Sequence, residues 1–156
     1  MRKAEREIQD AKLVVSLLLR AEYVSMAMWD GHTPYVVPVN FGFEDGVLYF
    51  HGSRTGKKAD CLRTCDRVCF EAVIEHTLRR GEKACKYTSH YKSVVGSGRA
   101  SFVEDIQEKR RAFDIIMRHY AGPENAWEDA ALAAIAVVRV DVEQLTGKAN
   151  PPWQGD

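Results

Sequence analysis

Three segments of the chain carry apolar residues at the spacing of an α-helix. Asp10 can cap the first segment, and in the third Asp105 is followed three residues later by Glu108, which is the pattern of a capping box. The third helix is predicted to end at Gly122-Pro123, because these residues disfavour its continuation. The predicted helices span residues 11–20, 57–63 and 106–120.

Six further segments are predicted as strands, because apolar and polar residues alternate in them or apolar runs lie between turn residues. Pro38 lies inside the second segment; since proline cannot donate to a β-ladder, it marks a bulge, a sheet edge or backbone that faces a ligand. Gly96-Ser97-Gly98 in the fifth segment predicts a bulge that curves the sheet. Residues 76–82 are predicted as a loop. The predicted strands span residues 23–30, 35–41, 47–51, 68–74, 91–103 and 134–143.

These elements predict a mainly β fold with flanking helices (α+β), a small antiparallel barrel in one domain of residues 1–156. Apolar residues make up 46% of the chain and charged residues 28%, which is typical of a soluble domain with a packed core. The 22 basic residues balance the 22 acidic ones, so neither a nucleic acid nor a membrane is expected as a partner. The N-terminal residues lack a signal-type apolar run, and a cytoplasmic location is expected.

The cysteines and histidines do not have the spacing of metal ligands, and no metal is expected. Cys61 and Cys69 are predicted to be small core residues, and all four cysteines are expected to be free thiols. His32 and His119 are predicted to lie at the surface. His51 is the histidine of chemical interest, because it precedes a polar, basic segment.

That segment, residues 51–58, combines glycines, hydroxyls and cations just before a predicted helix. Glycines let backbone N–H groups approach an anion, lysines neutralise its charge, and the helix N-terminus adds free N–H groups. A phosphate site fits this composition, and so does a solvated turn. The segment lacks the spacing of a nucleotide P-loop, and the chain contains no Gly-x-Gly-x-x-Gly nicotinamide fingerprint.

Four motifs in order carry a resemblance to a known family: residues 34–42, residues 48–58, residues 68–71 and residues 91–100. Together they resemble the pyridoxamine 5'-phosphate oxidase-like flavoproteins, most closely the nitroimidazole-resistance branch. The resemblance covers residues 6–148. It implies a six-stranded antiparallel split β-barrel, a homodimer, and one FMN in each of two clefts at the subunit interface.

The resemblance also implies roles for individual residues. Residues 37–40 would line the isoalloxazine ring, His51 would lie where substrate meets the ring and act catalytically, and Ser93 and Val94 would approach the flavin from the long strand. The residues implied to contact the cofactor are Val37, Pro38, Val39, Asn40, His51, Ser53, Lys57, Lys58, Ser93 and Val94, with Ser53, Lys57 and Lys58 on the phosphate.

The sequence therefore predicts an FMN-dependent oxidoreductase that reduces a small electron acceptor, such as a 5-nitroimidazole-like nitro-aromatic or a quinone. A flavin- or haem-binding module for storage, sensing or stress protection is the alternative, and an anion-binding surface without cofactor is the third. Pyridoxamine phosphate oxidases proper end with a substrate-clamping tail rich in Arg and Trp, whereas few residues follow Trp153, so oxidation of vitamin B6 is not expected. Lys92 stands where the branch usually carries arginine, a difference that keeps the charge but loses the planar fork of donors. The apolar tail of residues 151–153 is expected to be exposed in a monomer.

Overall fold

The computed structural model describes residues 3–122 and 127–153. Its helices are α1 (Ala11–Leu18), α2 (Lys57–Thr64), α3 (Ile106–His119) and α4 (Asp129–Ala134), with single 3-10 turns at Ala4–Arg6 and Ala84–Lys86. Its strands are β1 (Glu7–Ile8), β2 (Val24–Trp29), β3 (Pro34–Val39), β4 (Phe41–Glu44), β5 (Val47–Gly52), β6 (Arg67–Arg79), β7 (Thr88–Val103) and β8 (Ala136–Asn150). Among the described residues, none of the helices combines the length and the apolar character that a membrane span requires.

The strands form one antiparallel sheet in the order β3-β2-β6-β7-β8-β5-β4, with β1 paired to β8. The two ends of this order are consecutive in the chain, because Asn40 alone separates β3 from β4. One residue spans only about 7 Å between its neighbours' Cα atoms, so the sheet must curl until its ends approach. The predicted antiparallel split barrel of the α+β class is confirmed.

The core lies inside the curled sheet and extends beneath α3. Phe41, Phe50 and Phe70 are its largest fully buried side chains, and α1 closes one side with Val14, Leu17 and Leu18. A second cluster packs α3 and α4 against β5 and β8. Within it the buried ammonium of Lys109 donates hydrogen bonds to the carbonyls of Leu132 (3.2 Å) and Ile135 (3.0 Å), which ties α4 to α3.

The bulge predicted at Gly96-Ser97-Gly98 is confirmed. The register of β7 against β8 shifts between Ser97 and Gly98. A Cβ at Gly98 would lie 2.1 Å from the carbonyl oxygen of Asp141, and one at Gly96 would lie 2.2 Å from the Phe70 ring. Glycine is therefore required at both positions by the close approach of neighbouring groups.

Several element boundaries differ from the predictions; β7 already starts at Thr88, and β8 continues to Asn150, well past its predicted end at residue 143. The strand predicted over residues 35–41 is two strands, broken at Asn40, which with the short β1 raises the count from six to eight. The loop predicted over residues 76–82 is wrong up to Arg79, because β6 continues there in a ladder with β7. The side chains of residues 76–79 are exposed on both faces of the strand, so no alternation of apolar and polar residues indicates a strand there. The last strand begins at Ala136 because α4 precedes it.

Three predicted environments are also wrong. Cys69 is exposed, because the pleat of β6 points its neighbours Val68 and Phe70 inward. His119 is partly buried: its Nε2 lies 2.8 Å from the carbonyl oxygen of Ala21, and its ring centroid lies 4.4 Å from that of Phe41. The third, exposure of the apolar tail, is wrong only at its end: Pro151 and Pro152 are exposed as expected, but Trp153 is partly buried, with the Lys92 ammonium 4.2 Å from its ring centroid.

Other predictions agree with the structure. Asp105 caps α3 by accepting a hydrogen bond from the Glu108 N–H (2.8 Å), and α3 ends at His119, close to the predicted end. Pro123, the second residue of the predicted helix stop, lies outside the described residues. The four cysteines are free, and Cys61 is buried as predicted.

Replacement of Gly98 by alanine should destabilise the protein by about 1–3 kcal/mol, the usual cost of forcing an extra carbon into a packed site. The clash is with backbone, so no side-chain movement can relieve it. Urea unfolding of Gly98→Ala should show this loss, while Ser97→Ala, on the partly exposed neighbour, should stay within about 0.5 kcal/mol of the parent. Equal stability of the two variants would contradict the close approach of β7 and β8.

Candidate functional site

The polar segment of residues 51–58 joins the end of β5 to the start of α2. Gly56 occupies the N-cap of α2 with φ of 94°, a conformation that favours glycine, and no side chain of the described residues caps the helix. The first N–H groups of α2 are therefore free to meet an anion. Within the loop, Ser53 Oγ accepts a hydrogen bond from the Thr55 N–H (3.2 Å).

The two lysines at the start of α2 have different surroundings. Lys57 Nζ lies 3.2 Å from Asp30 Oδ2 and 5.1 Å from the ring centroid of Tyr35, so its charge is neutralised within the chain. The backbone N–H groups of Thr33 and His32 hold the pKa of the Asp30 carboxyl well below its usual range, so Asp30 stays ionised. This contact also places the start of α2 beside the start of β3.

Lys58 forms no ion pair with any residue in the part of the chain that the structure describes. It is half-buried, its Nζ lies 5.6 Å from the ring centroid of Phe50, and burial lowers its pKa. A Cβ at Gly52 would lie 2.7 Å from the same ammonium. A partly desolvated cation without a carboxylate, next to free helix N–H groups, is a favourable place for an anionic ligand.

His51 is exposed at the end of β5, but one side of its ring lies against Phe113 of α3, with the ring centroids 5.2 Å apart. Partial burial lowers the pKa of His51, and the positive charge of Lys58 lowers it further. Its imidazole is therefore mainly neutral at pH 7 and gains a proton only below its ordinary pKa of 6.5.

The residues predicted on β3 point in two directions. Val39 is buried and Val37 packs against the core, so only their backbone is available to a ligand. Pro38 and Asn40 are exposed. They line an open groove of about 820 Å³ together with Glu22, Tyr23, Ser25 and Tyr120.

Ser93 and Val94 lie on β7, away from the other predicted residues. Val94 is completely buried, whereas Ser93 is partly exposed on the opposite face. Two strands, β2 and β6, separate β7 from β3, which amounts to about 14 Å at the usual strand spacing. A single protomer thus brings β3 close to the start of α2 but does not bring Ser93 and Val94 to them.

The partners that distinguish these side chains leave no signal in the sequence. Asp30 ends a predicted strand and Phe113 lies within a predicted helix, and neither position indicates a contact with Lys57 or His51. No group of three or more possible metal-ligating side chains occurs within residues 3–122 and 127–153.

This chain is similar to known proteins in both sequence and structure. A family model described as pyridoxamine 5'-phosphate oxidase matches residues 10–149. A protein of Bacteroides thetaiotaomicron VPI-5482 whose proposed role is 5-nitroimidazole antibiotic resistance is 36% identical, and the match covers 91% of this chain and 85% of that one with a TM-score of 0.82. None of the curated proteins matches the sequence.

Two more distant structures show the same fold. The flavocytochrome Anf3 of Azotobacter vinelandii is 19% identical, with a TM-score of 0.81 over 96% of this chain and 71% of that one. The FAD and haem binding protein of Mycobacterium smegmatis is 16% identical, with a TM-score of 0.84 over 97% of this chain and 76% of that one. The family model spans most of the chain, and the Bacteroides protein shares more than a third of its residues. The chain therefore belongs to the pyridoxamine 5'-phosphate oxidase family.

Proposed function

We propose that the protein binds FMN and serves as an oxidoreductase that reduces a small acceptor, such as a nitro-aromatic or a quinone. The observation that carries the proposal is Lys58, a half-buried ammonium without an ion-pair partner in the described ranges. The uncapped start of α2 adds N–H donors beside it. This arrangement supports a phosphate group as the ligand.

The same geometry supports a position for the rest of the cofactor. The contact of Lys57 with Asp30 and Tyr35 holds the start of α2 beside the start of β3. Pro38 is exposed further along that strand, and Asn40 is exposed just after its end. The flavin ring would therefore follow β3, with the Asn40 amide and the backbone of residues 37–39 as its polar contacts. Ser53 would add a hydroxyl to the phosphate site, at the expense of its bond to Thr55.

A bound flavin would supply the capacity to pass two electrons to the acceptor. The protein would bind the cofactor, orient it and supply a proton to the acceptor. His51 is the residue proposed for that step, since it lies next to Lys58 and exposes its ring. The open groove beside Asn40, about 820 Å³ in volume, is large enough for a small aromatic acceptor.

We also propose a homodimer, formed through the outer sheet face (Ser25, Val36, Pro38, Val73 and Val95). The register supports this grouping, since Ser25 pairs with Pro38 and with Glu71, and Glu71 pairs with Val95. Val36, Val73 and Val95 are 58%, 54% and 42% exposed, an apolar surface that a second copy would cover. Ser93 lies on this same face, so a partner could bring it to the cofactor.

Mass spectrometry of the compound released by denaturation is the experiment that tests the proposed function. We expect FMN, close to one per chain, and a flavin absorption spectrum in the native protein. Haem with a Soret band would instead support the alternative of a haem-binding module. A protein without either chromophore, and unable to bind added FMN, would leave only an anion-binding surface.

Lys58→Ala should weaken FMN binding about 10- to 200-fold, because one charge-assisted hydrogen bond contributes about 1.5–3 kcal/mol. Riboflavin, which lacks the phosphate, should bind almost as before. Lys57→Ala is the matched control: its ammonium is paired with Asp30, so we expect a smaller loss. Fluorescence titration of both flavins measures the effect, and equal weakening of both by Lys58→Ala would contradict a phosphate contact.

His51→Ala should retain FMN but reduce the acceptor about 10²- to 10⁴-fold more slowly, the usual contribution of a general acid. Because burial and Lys58 lower the pKa of His51, the rate of the parent protein should fall as the pH rises through a value below 6.5. The variant should lack this pH dependence. If His51→Ala loses FMN but turns over normally per bound flavin, the role of His51 is structural.

A further inference from the structure

The hairpin of β6 and β7 extends beyond its neighbouring strands. Strand β2 pairs only with residues 69–71 of β6, and β8 pairs with β7 only from Tyr91 onward. In the described part of the chain, therefore, no further strand lies beside the last three residue pairs of the hairpin. These pairs run from Thr77 with His90 to Arg79 with Thr88. We call residues 76–88 the basic ribbon.

The basic ribbon carries a local excess of positive charge. The ribbon contains four basic residues and one acidic residue, which give it a formal charge of +3 on a chain of net charge zero. The basic residues are Arg79, Arg80, Lys83 and Lys86, and the acidic residue is Glu82. All five side chains are exposed. The remainder of the chain consequently carries −3.

The four cations of the basic ribbon are also not neutralised locally. None of them forms an ion pair with a described residue, and Arg79 donates only to the Nδ1 atom of His90 (3.3 Å). Elsewhere exposed arginines are commonly paired, as in Arg67 with Glu143 and Arg99 with Asp66. Charged side chains on a free sheet edge commonly prevent aggregation. Positive and negative charges would both do this, so prevention of aggregation does not explain why the charges here have one sign. Clustering of one sign indicates attraction of an oppositely charged surface.

Two apolar side chains accompany the charges. Leu78 is 50% exposed and Tyr87 is 49% exposed. A few apolar contacts surrounded by charge are typical of small, transient protein interfaces. Four cations are too few for a nucleic-acid surface, where about 6–10 phosphate contacts are usual.

We propose that the basic ribbon docks a small acidic electron-carrier protein. Charge complementarity selects an acidic partner, and the small surface favours a transient one. The choice of an electron carrier rests on the proposed function, because the oxidoreductase must receive electrons and the chain has no nicotinamide fingerprint. The docking itself requires only the charges and apolar side chains described above.

The test uses a fluorescently labelled acidic [2Fe–2S] ferredoxin, titrated with the full chain while anisotropy is recorded. We expect binding at low salt that weakens at physiological ionic strength. Lys83→Glu with Lys86→Glu should weaken binding at low salt about tenfold or more. Lys3→Glu with Lys12→Glu, an equal charge change at exposed lysines outside the basic ribbon, should stay within about twofold of the parent.

A second variant distinguishes the contribution of the apolar contacts to binding from that of the charges. Leu78→Ser with Tyr87→Ser should weaken binding while leaving its dependence on salt unchanged. Circular dichroism of all variants verifies that they are folded.

Several outcomes would overturn the proposal. These are no binding of the ferredoxin, equal weakening by both charge-reversal pairs, or tighter ribbon-dependent binding of oligothymidylate or phosphatidylserine vesicles. Sedimentation should give twice 17.6 kDa for the parent and both charge variants. A dimer lost only in the ribbon variant would place the ribbon between copies of this chain. Flavin content, read from the absorption spectrum, distinguishes failure of the proposed function from failure of docking.

Discussion

The single residue between β3 and β4 constrains the whole fold. Because these strands stand at opposite ends of the sheet order, Asn40 forces the sheet to curl and the long strands β6, β7 and β8 to bend. Bending requires the register shift at Gly98, and the shift requires a residue without a side chain next to Asp141. The exposed amide of Asn40 and the exposed ring of Pro38 lie at this junction, so closure of the barrel also positions the candidate site.

At the start of α2, the surroundings of each lysine determine whether its charge is available to a ligand. Lys57 and Lys58 are adjacent and chemically identical, yet one is neutralised by Asp30 and the other is half-buried without a partner. The free energy of a desolvated, unpaired ammonium is unfavourable, and a bound anion removes that cost. The same charge lowers the pKa of His51. Ligand affinity and proton supply at this site would therefore be coupled through Lys58.

The two faces of the sheet have different roles: one forms the core and the other is exposed. Inward side chains such as Val39, Phe70 and Val94 form the core, while the alternate positions leave valines exposed on the outer sheet face. The two strands between β3 and β7 separate Ser93 from Pro38 within one protomer. A second copy on that face would bring Ser93 to the cofactor. The basic ribbon lies at the far end of the β6-β7 hairpin, beyond the neighbouring strands β2 and β8.

Residue patterns along the chain are enough to predict the features that depend on near neighbours in the sequence. The cap at Asp105, the bulge at Gly96-Ser97-Gly98 and the class of fold follow from local spacing, and four ordered motifs sufficed to indicate the family. The outer part of β6 has no apolar alternation, so only its ladder with β7 shows that it is a strand.

The contacts between side chains that are distant in the sequence become known only from the folded chain. It placed Asp30 on Lys57, Phe113 against His51 and Ala21 on His119, pairs whose members are far apart in the chain. It turned Cys69 outward, because the pleat assigns a face by register and not by hydrophobicity. Long-range contacts depend on the closure of the barrel, which leaves no signal in the spacing of residues along the sequence.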